Sequence, residues 1–388
     1  MTVKKMRAAV LGCGRISKVY IPTIQKEFSI LDIAAVWDPK RERAVENETR
    51  FGVKAMTKEE IFADPTIEAV LNLTKPEFHY EITKEALLAQ KHVYSEKMIA
   101  LTMEQAKELL TIAKEKNLAF TVAPDTFLGG SWQTARKLID DGYIGTPLLV
   151  NAVAVRSYQP ADASSAKRPM TMSPGGGIPY DMGGYYLHAM FHLLGGLNRV
   201  AGFIKTANRE KYFFNPRNPS YKEPVTVSDD APNTMTASLE FESGVYGSLT
   251  MTSESNLFYQ SGFTIYGTQG TLLLPDPNCF GGEIRLRRSK SGGELWESMT
   301  EPMCVPATHG YTAEERGIGA ADMAWAVRNG RMPRADAQMG YHAFEAIQGI
   351  RQSCSTGQVY FMTSKLTRPE PVRPGVWKGT AQERALDD

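Results

Sequence analysis

The amino-terminal stretch Arg7-Ala-Ala-Val-Leu-Gly-Cys-Gly-Arg-Ile-Ser17 joins an apolar run to a turn that contains two glycines. A glycine at position 12 permits a tight turn directly after a strand, and a glycine at position 14 lets the backbone approach a pyrophosphate. A helix that begins here points its free N–H groups and its positive dipole end at that phosphate. Ser17 occupies the third glycine position of the G-x-G-x-x-G pattern. The stretch therefore predicts a dinucleotide-binding turn.

An acidic residue, Asp38, follows the second predicted strand, 24 residues after Gly14. A carboxylate at this place accepts hydrogen bonds from the ribose hydroxyls of adenosine and repels a 2′-phosphate, which favours NAD. Lys40, Arg41 and Arg43 follow it and could bind a 2′-phosphate instead, or they are exposed residues of a helix. NAD is the expected cofactor, and NADP stays open as an alternative.

Residues 6–124 alternate short aliphatic runs with longer segments of helical periodicity. This alternation is typical of an α/β domain with a parallel sheet, right-handed crossovers and helices on both faces. We expect such a domain over residues 1–124. Its predicted strands are Ala8–Leu11, Asp32–Trp37, Ala69–Leu73, His92–Ser95 and Ala119–Ala123, and its predicted helices are Ser17–Phe28, Pro39–Phe51, Phe78–Gln90 and Thr102–Asn117.

The sequence pattern changes after Pro124, and a second domain is expected over residues 125–388. Period-two strands separated by glycine turns predict an antiparallel or mixed sheet, backed by helices. Residues 157–177 are predicted to form a long surface loop, and the tail after Arg368 an extended surface strap. The predicted strands are one ending at Arg156, Thr234–Phe241, Gly244–Thr252, Phe263–Gly267 and Thr271–Leu274, and the predicted helices are Ser131–Asp140, Met182–Leu194, Ala313–Arg328 and Ala335–Gln352.

The composition argues against several classes of protein. The 44 Lys and Arg residues balance 43 Asp and Glu, so no nucleic-acid partner is expected. The longest basic cluster, residues 285–290, is either a solvated strand end or a contact surface. No apolar run approaches the ~18 residues of a spanning helix, and neither a membrane partner nor a signal peptide is expected. The cysteines are scattered, which favours a reducing, cytoplasmic compartment.

Glu96 and Lys97 follow the predicted strand His92–Ser95, at the edge where open α/β sheets bind ligands. Beside a positively charged nicotinamide ring the pKa of the lysine ammonium should fall, which suits a proton donor and acceptor. The alternative is a surface lysine that pairs with Glu96.

A segment rich in glycine and aromatic residues opens the predicted helix of the second domain. Spacings of 4, 7 and 11 residues place Asp181, Tyr185, His188 and His192 on one helical face, which suggests that this face lines a cleft. As alternatives, Asp181 is a helix N-cap, Tyr185 a core ring with a solvated hydroxyl, and the histidines core or interface residues. No metal site is expected, because Tyr185 occupies the i+4 position where a second strong ligand would be required.

Taken together, these motifs resemble the glucose–fructose oxidoreductase/inositol dehydrogenase (Gfo/Idh/MocA) family over nearly the whole chain. The resemblance implies an N-terminal Rossmann domain, a C-terminal α/β domain with a large open, mainly antiparallel sheet, and a homodimer or homotetramer. It rests on the turn 12–16, Thr74-Lys-Pro76 with His79, Glu96-Lys97, and the spacing from Gly175 to Asp181 and Tyr185. The cofactor-binding residues that it implies are Gly12, Gly14, Arg15, Ile16, Asp38, Thr74, Pro76, His79, Glu96 and Lys97.

The catalytic residues are likewise implied by the resemblance. Lys97 matches the lysine of the family's Glu-Lys-Pro motif, although Met98 stands at the proline position, and Asp181 matches the active-site aspartate. Tyr185 stands where inositol dehydrogenases have histidine, and is similar to the glucose–fructose oxidoreductase and dihydrodiol dehydrogenase branches. His188 stands where many polyol-oxidising members carry a second acid.

The activity implied is hydride transfer between nicotinamide C4 and a ring carbon of a sugar, glycoside or cyclic polyol. Tyr185 and Lys97 would both contact the reacting hydroxyl, one as proton acceptor and the other lowering the pKa of that hydroxyl. The predicted substrate-site residues are Arg156, His188, His309 and Tyr311. Two alternatives are a glycoside-cleaving enzyme that uses tightly bound NAD⁺ for transient oxidation and elimination, and a non-catalytic NAD(P)-sensing regulator.

Overall fold

The computed structural model describes residues 3–157, 170–212, 224–255, 258–288, 302–375, 383, 386 and 387. Most of the predicted loop 157–177, the last two residues of the basic cluster, and most of the tail beyond Gly375 lie outside the described residues. Within the described part of the chain, no helix is long and apolar enough to cross a membrane.

The first part of the chain forms a parallel sheet with helices on both faces. Its strands are β1 (Met6–Leu11), β2 (Leu31–Trp37), β3 (Lys54–Ala55), β4 (Ala69–Asn72), β5 (His92–Ser95) and β6 (Phe120–Val122). Its helices are α1 (Ser17–Glu27), α2 (Arg41–Phe51), α3 (Lys58–Ala63), α4 (Pro76–Leu88) and α5 (Met103–Glu115). The strand order is β3-β2-β1-β4-β5-β6, so the direction of winding reverses between β1 and β4. Ligands bind open sheets at such a reversal.

Every strand and helix predicted for this part is present, with ends displaced by a few residues. β3 and α3 were not predicted, because they are two and six residues long and too short to show a periodicity. A capping box fixes the start of α3: Glu60 N donates to Thr57 Oγ1 at 3.2 Å, and Thr57 N donates to Glu60 Oε2 at 2.8 Å.

The second part forms a large mixed sheet. Its strands are β7 (Pro147–Val155), β8 (Leu197–Lys205), β11 (Thr234–Phe241), β12 (Tyr246–Thr252), β13 (Gln260–Gly267), β14 (Gly270–Leu274), β15 (Ile284–Arg288), β16 (Met303–Val305) and β17 (Tyr360–Phe361), and a separate hairpin pairs β9 (Glu210–Tyr212) with β10 (Pro224–Thr226). The order is β16-β15-β14-β13-β7-β12-β11-β8-β17. Among the described pairs of this sheet, only β7 and β12 run parallel, which confirms the predicted mainly antiparallel sheet.

Helices α6 (Gly130–Asp140), α7 (Ile178–Asp181), α8 (Gly183–Leu194), α9 (Ile318–Asn329) and α10 (Ala337–Thr356) complete the fold. Every residue of α8 is buried, and α10 packs on both α8 and β8. Helix α9 packs against β5 and β6, so a helix of the second part of the chain covers part of the first sheet. One continuous apolar core therefore runs through both parts, and the domain boundary at residue 124 stays a prediction.

Helix α9 begins five residues later than predicted, and the difference has a local cause. Gly317 has φ +108°, a conformation that ends helical periodicity and favours glycine. The N–H groups of Gly317 and Gly319 donate to the buried carboxylate of Asp125, at 3.2 and 2.9 Å. Residues 313–316, predicted as helix, therefore belong to the preceding loop.

Candidate active site

The glycine turn between β1 and α1 is closely packed on one side and open on the other. Gly12 has φ +104°, and a Cβ there would lie 2.7 Å from backbone atoms of Leu73 and Thr74. A Cβ at Gly14 would meet nothing within 4 Å. The turn is thus held against the end of β4, while the second glycine faces open space, as close approach of a pyrophosphate to the backbone requires. Arg15 is exposed and Ile16 half-buried at the start of α1.

Asp38 is tied to the same turn. Cys13 N donates to Asp38 Oδ2 at 2.9 Å, and Lys40 N donates to Asp38 Oδ1 at 2.9 Å. The carboxylate is 7% exposed, so its charge lies fixed beside the turn, and each oxygen keeps a lone pair for a further donor. This arrangement fits the ribose of a dinucleotide that lacks a 2′-phosphate.

His79 connects the second predicted cofactor segment to the lysine turn. The ring is buried, with Nδ1 2.6 Å from the carbonyl oxygen of Met98 and Nε2 3.1 Å from the carbonyl oxygen of Thr74. Pro76, which lies between Thr74 and His79 in the sequence, is the first residue of α4. Burial lowers the pKa of His79. The bond to Met98 holds the turn after Lys97, at the position where the family motif has proline.

Lys97, Asp181 and Tyr185 converge at the carboxyl end of β5. Lys97 Nζ lies 2.6 Å from Asp181 Oδ1, donates to the Asp181 carbonyl oxygen at 2.8 Å, and lies 5.0 Å from the ring centroid of Tyr185. The side chains of Lys97 and Asp181 are 15% and 18% exposed. The lysine is therefore not a surface residue paired with Glu96, and Asp181 ends α7 rather than capping a helix.

The ionisation of this group follows from its burial and its charges. Burial by itself lowers the pKa of Lys97, but the charge of Asp181, with contributions from Tyr185 and Glu96, outweighs burial and raises that pKa. The sequence-based expectation was a lower pKa of Lys97 caused by the positive charge of nicotinamide. The protein groups around Lys97 act in the opposite direction and favour its ammonium form. Burial raises the pKa of Tyr185, and the cations Lys97 and Arg316 oppose that rise.

Glu96 faces inward rather than toward Lys97. Its Oε1 accepts a hydrogen bond from Tyr20 at 2.7 Å, and the Tyr20 hydroxyl lies 3.0 Å from that of Tyr94. Tyr94 in turn interacts with Asp125. The Lys97 backbone N–H donates to Glu96 Oε2 at 3.2 Å. This buried polar chain fixes the backbone from which Lys97 projects.

Arg316 was not predicted as a site residue, because it lies within the helix predicted over residues 313–328. Its Nη2 lies 3.5 Å from the Tyr185 hydroxyl and donates to Asn278 Oδ1 at 2.9 Å. No periodicity or motif distinguishes this arginine, because it lies in an irregular loop whose course depends on the contacts of Gly317 with Asp125.

The histidines of the predicted stripe lie in the interior. His188 Nδ1 is 3.0 Å from the Pro124 carbonyl oxygen, and burial lowers the pKa of His188 to about 4. His188 and His192 both pack against Phe127. Asp181 and Tyr185, at one end of the stripe, therefore border the site, whereas His188 and His192 lie in the core.

The other predicted substrate residues have partners of their own. Arg156 follows β7, pairs with Asp276 at 2.7 Å and stacks on Tyr259 with its guanidinium carbon 3.9 Å from the ring centroid. His309 Nε2 lies 3.2 Å from the Val372 carbonyl oxygen, under the carboxy-terminal strap. Tyr311 packs against Phe28, with ring centroids 5.8 Å apart. None of these described contacts joins the group around Lys97.

A glycine turn with an adjoining acid at the reversal point of a parallel sheet, together with a lysine–aspartate pair at the same edge of that sheet, is typical of the dinucleotide-binding oxidoreductase class. The chain belongs to the GFO/IDH/MocA oxidoreductase family. Residues 6–123 match the model of the oxidoreductase family with an NAD-binding Rossmann fold, and residues 132–273 match the GFO/IDH/MocA C-terminal domain. These matches confirm the predicted family, the predicted fold class and NAD as the predicted cofactor.

Individual relatives and structures agree with this assignment. An uncharacterized oxidoreductase of Schizosaccharomyces pombe is 31% identical over 52% of this chain and 55% of its own length. The inositol 2-dehydrogenase/D-chiro-inositol 3-dehydrogenase of Lactiplantibacillus plantarum is 29% identical over 42% of this chain and 47% of its own. The matches thus span about half the length of these two relatives. The structure of a levoglucosan dehydrogenase in complex with NADH has a TM-score of 0.79 at 20% identity, covering 93% of this chain and 100% of that one, which shows a shared fold.

Proposed function

We propose that this chain is an NAD-dependent oxidoreductase that transfers a hydride between nicotinamide and a ring hydroxyl or keto carbon of a sugar, glycoside or cyclic polyol. The observation that carries the proposal is the convergence of Lys97, Asp181 and Tyr185 beside Glu96, at the edge of the sheet that bears the glycine turn. A structural ion pair alone would not require a phenol beside the ammonium group.

Each member of the group has a role that its contacts support. Asp181 keeps Lys97 charged and fixes its direction. The Lys97 ammonium then donates a hydrogen bond to the reacting oxygen and lowers the pKa of the substrate hydroxyl. Tyr185 takes the hydroxyl proton in the oxidative direction and returns it in the reductive direction. Bound NAD supplies the hydride acceptor or donor.

The substrate class is supported by the chemistry of two similar proteins. One relative is named an inositol dehydrogenase and one structural neighbour a levoglucosan dehydrogenase, and the ligands in those names are rings that carry several hydroxyl groups. We further propose a cytoplasmic homo-oligomer. The four cysteines, Cys13, Cys279, Cys304 and Cys354, are free, which favours a reducing compartment.

The test is a screen of purified protein with NAD⁺ against monosaccharides, glycosides, anhydrosugars and inositols, with NADH absorbance as the readout. Lys97→Met serves as the matched control, since it keeps the length of the side chain and removes the charge. Substrate-dependent NADH formation that the control lacks is expected. Cleavage of a glycoside without net NADH, and without added cofactor, would instead establish the eliminating enzyme. A protein that binds NAD⁺ and reduces it with no member of the panel would contradict the proposal.

A further inference from the structure

The guanidinium of Arg316 is held against the hydroxyl end of Tyr185. The arginine side chain is only 13% exposed. Its Nη1 lies 2.6 and 2.5 Å from the two carboxylate oxygens of Glu314, and its Nη2 donates to Asn278. The guanidinium carbon also lies 5.9 Å from the ring centroid of Phe280. These contacts come from two separate loops and fix the charged plane 3.5 Å from the phenolic oxygen.

Tyr185 therefore lies between two cations that reach it from different elements. Lys97 approaches its ring from the end of β5, and Arg316 approaches its oxygen from the loop before α9. The charge of Glu96 acts on the phenol in the opposite sense, because it raises the pKa of Tyr185.

The two cations differ in how strongly their charges are neutralised. The partner of Lys97 is Asp181, whose side chain is 18% exposed. The partner of Arg316 is Glu314, whose side chain is 51% exposed. Because solvent screens an exposed carboxylate more than a buried one, Arg316 keeps more of its positive potential at the phenolic oxygen.

We propose that Arg316 is a positioning residue that stabilises the phenolate of Tyr185, the form that accepts the substrate proton. The inference rests on the proposed function and deepens it. In the oxidative step the substrate O–H bond breaks and its proton forms the Tyr185 hydroxyl. The hydride of the same carbinol carbon would be taken up by bound NAD⁺, and the carbinol would become a carbonyl. Arg316 itself touches only Tyr185 among the reacting groups.

The experiment compares Arg316→Gln, Arg316→Lys and Glu314→Gln by two measurements. The first is the pH profile of kcat/KM with the substrate found in the screen. The second is the ultraviolet difference titration of Tyr185 in protein without substrate or cofactor, with Tyr185→Phe as the blank. Arg285→Gln is the matched control, because Arg285 is an exposed arginine of β15 that also pairs with a glutamate, Glu283.

In Arg316→Gln, we expect the ionisation of Tyr185 and the acidic limb of the profile to move to higher pH. A displacement of about one pH unit corresponds to a tenfold loss of kcat/KM on that limb. Arg316→Lys should restore part of the displacement, Glu314→Gln should move both curves to lower pH, and Arg285→Gln should move neither.

Unchanged curves in Arg316→Gln, with a thermal transition like that of the parent, would overturn the proposal. If that variant does not fold, unchanged curves in Glu314→Gln would overturn it equally. The phenol titration needs no turnover, so a protein that oxidises nothing in the panel rejects the proposed function without deciding the outcome for Arg316.

Discussion

The ammonium of Lys97 and the carboxylate of Asp181 form a 2.6 Å ion pair between residues 84 positions apart. Lys97 follows a strand of the parallel sheet, and Asp181 ends a one-turn helix of the second part of the chain. The pair thus joins the two parts of the chain next to Glu96 and Tyr185. Removing one member leaves the other charge buried without compensation.

The first prediction concerns this coupling. Lys97→Met should lower kcat by ~10²–10³, the range for loss of one preorganised donor to the reacting oxygen, and Asp181→Asn should lower it less, because the ammonium remains. The double variant should be no slower than Lys97→Met, since the aspartate acts through the lysine. Steady-state kinetics of the three variants check this. Additive losses would mean that Asp181 has a separate role, such as binding a neighbouring substrate hydroxyl.

The second prediction separates the two glycines of the turn. Gly14→Ile should abolish NADH binding and leave the thermal transition near that of the parent, because the added atoms occupy space that the protein leaves open. Gly12→Ala should destabilise the fold by about 1–3 kcal/mol, since its Cβ would meet the backbone of Leu73 at a positive φ. NADH fluorescence titrations and thermal melts measure both. Tight NADH binding by Gly14→Ile would place the pyrophosphate elsewhere.

The third prediction concerns the choice between NAD and NADP. Asp38→Asn keeps an oxygen that can accept the Cys13 N–H and removes the negative charge. Repulsion of a 2′-phosphate should fall, and Arg41 and Arg43 stand close behind in sequence. We expect the ratio of the Kd for NADPH to the Kd for NADH to fall about tenfold or more. A ratio equal to that of the parent would show that another group excludes the phosphate.

Sequence reasoning succeeded where the chemistry is local. The turn at Gly12, the acid Asp38 and the alternation of buried strands with helices follow from neighbouring residues, and each element of the first sheet longer than six residues was predicted. The grouping of Lys97 with Asp181 and Tyr185 came from the resemblance to a family, because no local pattern relates residues 84 positions apart.

The positions of Arg316 and His188 could not be predicted from the sequence, because they depend on contacts between distant segments. Arg316 lies near Tyr185 because Gly317 and Gly319 bind the Asp125 carboxylate, and the local pattern of the loop resembles a helix. His188 shares the helical face of Tyr185, yet the carbonyl of Pro124 holds it in the core. Residues on one helical face point in the same direction from the helix axis. The packing of neighbouring elements, however, decides which part of that face borders a cleft.

The fourth prediction concerns oligomerisation through the second sheet. Tyr246, Leu149 and Tyr266 are aligned across β12, β7 and β13 and are 58%, 41% and 40% exposed. Such an apolar row on one sheet face suits a contact with a second copy. Light scattering should show a dimer or tetramer for the parent and a smaller species for Leu149→Glu. Leu88→Glu, at an exposed position on α4, is the control, and a monomeric parent would contradict the proposed assembly.

The fifth prediction is a pH dependence of stability that arises at Asp125. Burial raises the pKa of this carboxyl from 3.8 to about 6, although the Gly319 N–H and Arg316 oppose the rise. The folded state therefore binds the proton more tightly than the unfolded state, so the free energy of unfolding decreases as the pH rises from about 4 to about 6. Over that window the decrease should be about 3 kcal/mol, since one pKa unit corresponds to ~1.4 kcal/mol.

Asp125→Asn keeps an oxygen for Gly319 and carries no charge, so its free energy of unfolding should vary less with pH by about that amount. Urea denaturation at a series of pH values measures the difference, and parallel curves for the parent and Asp125→Asn would show that the carboxyl is ionised equally in both states.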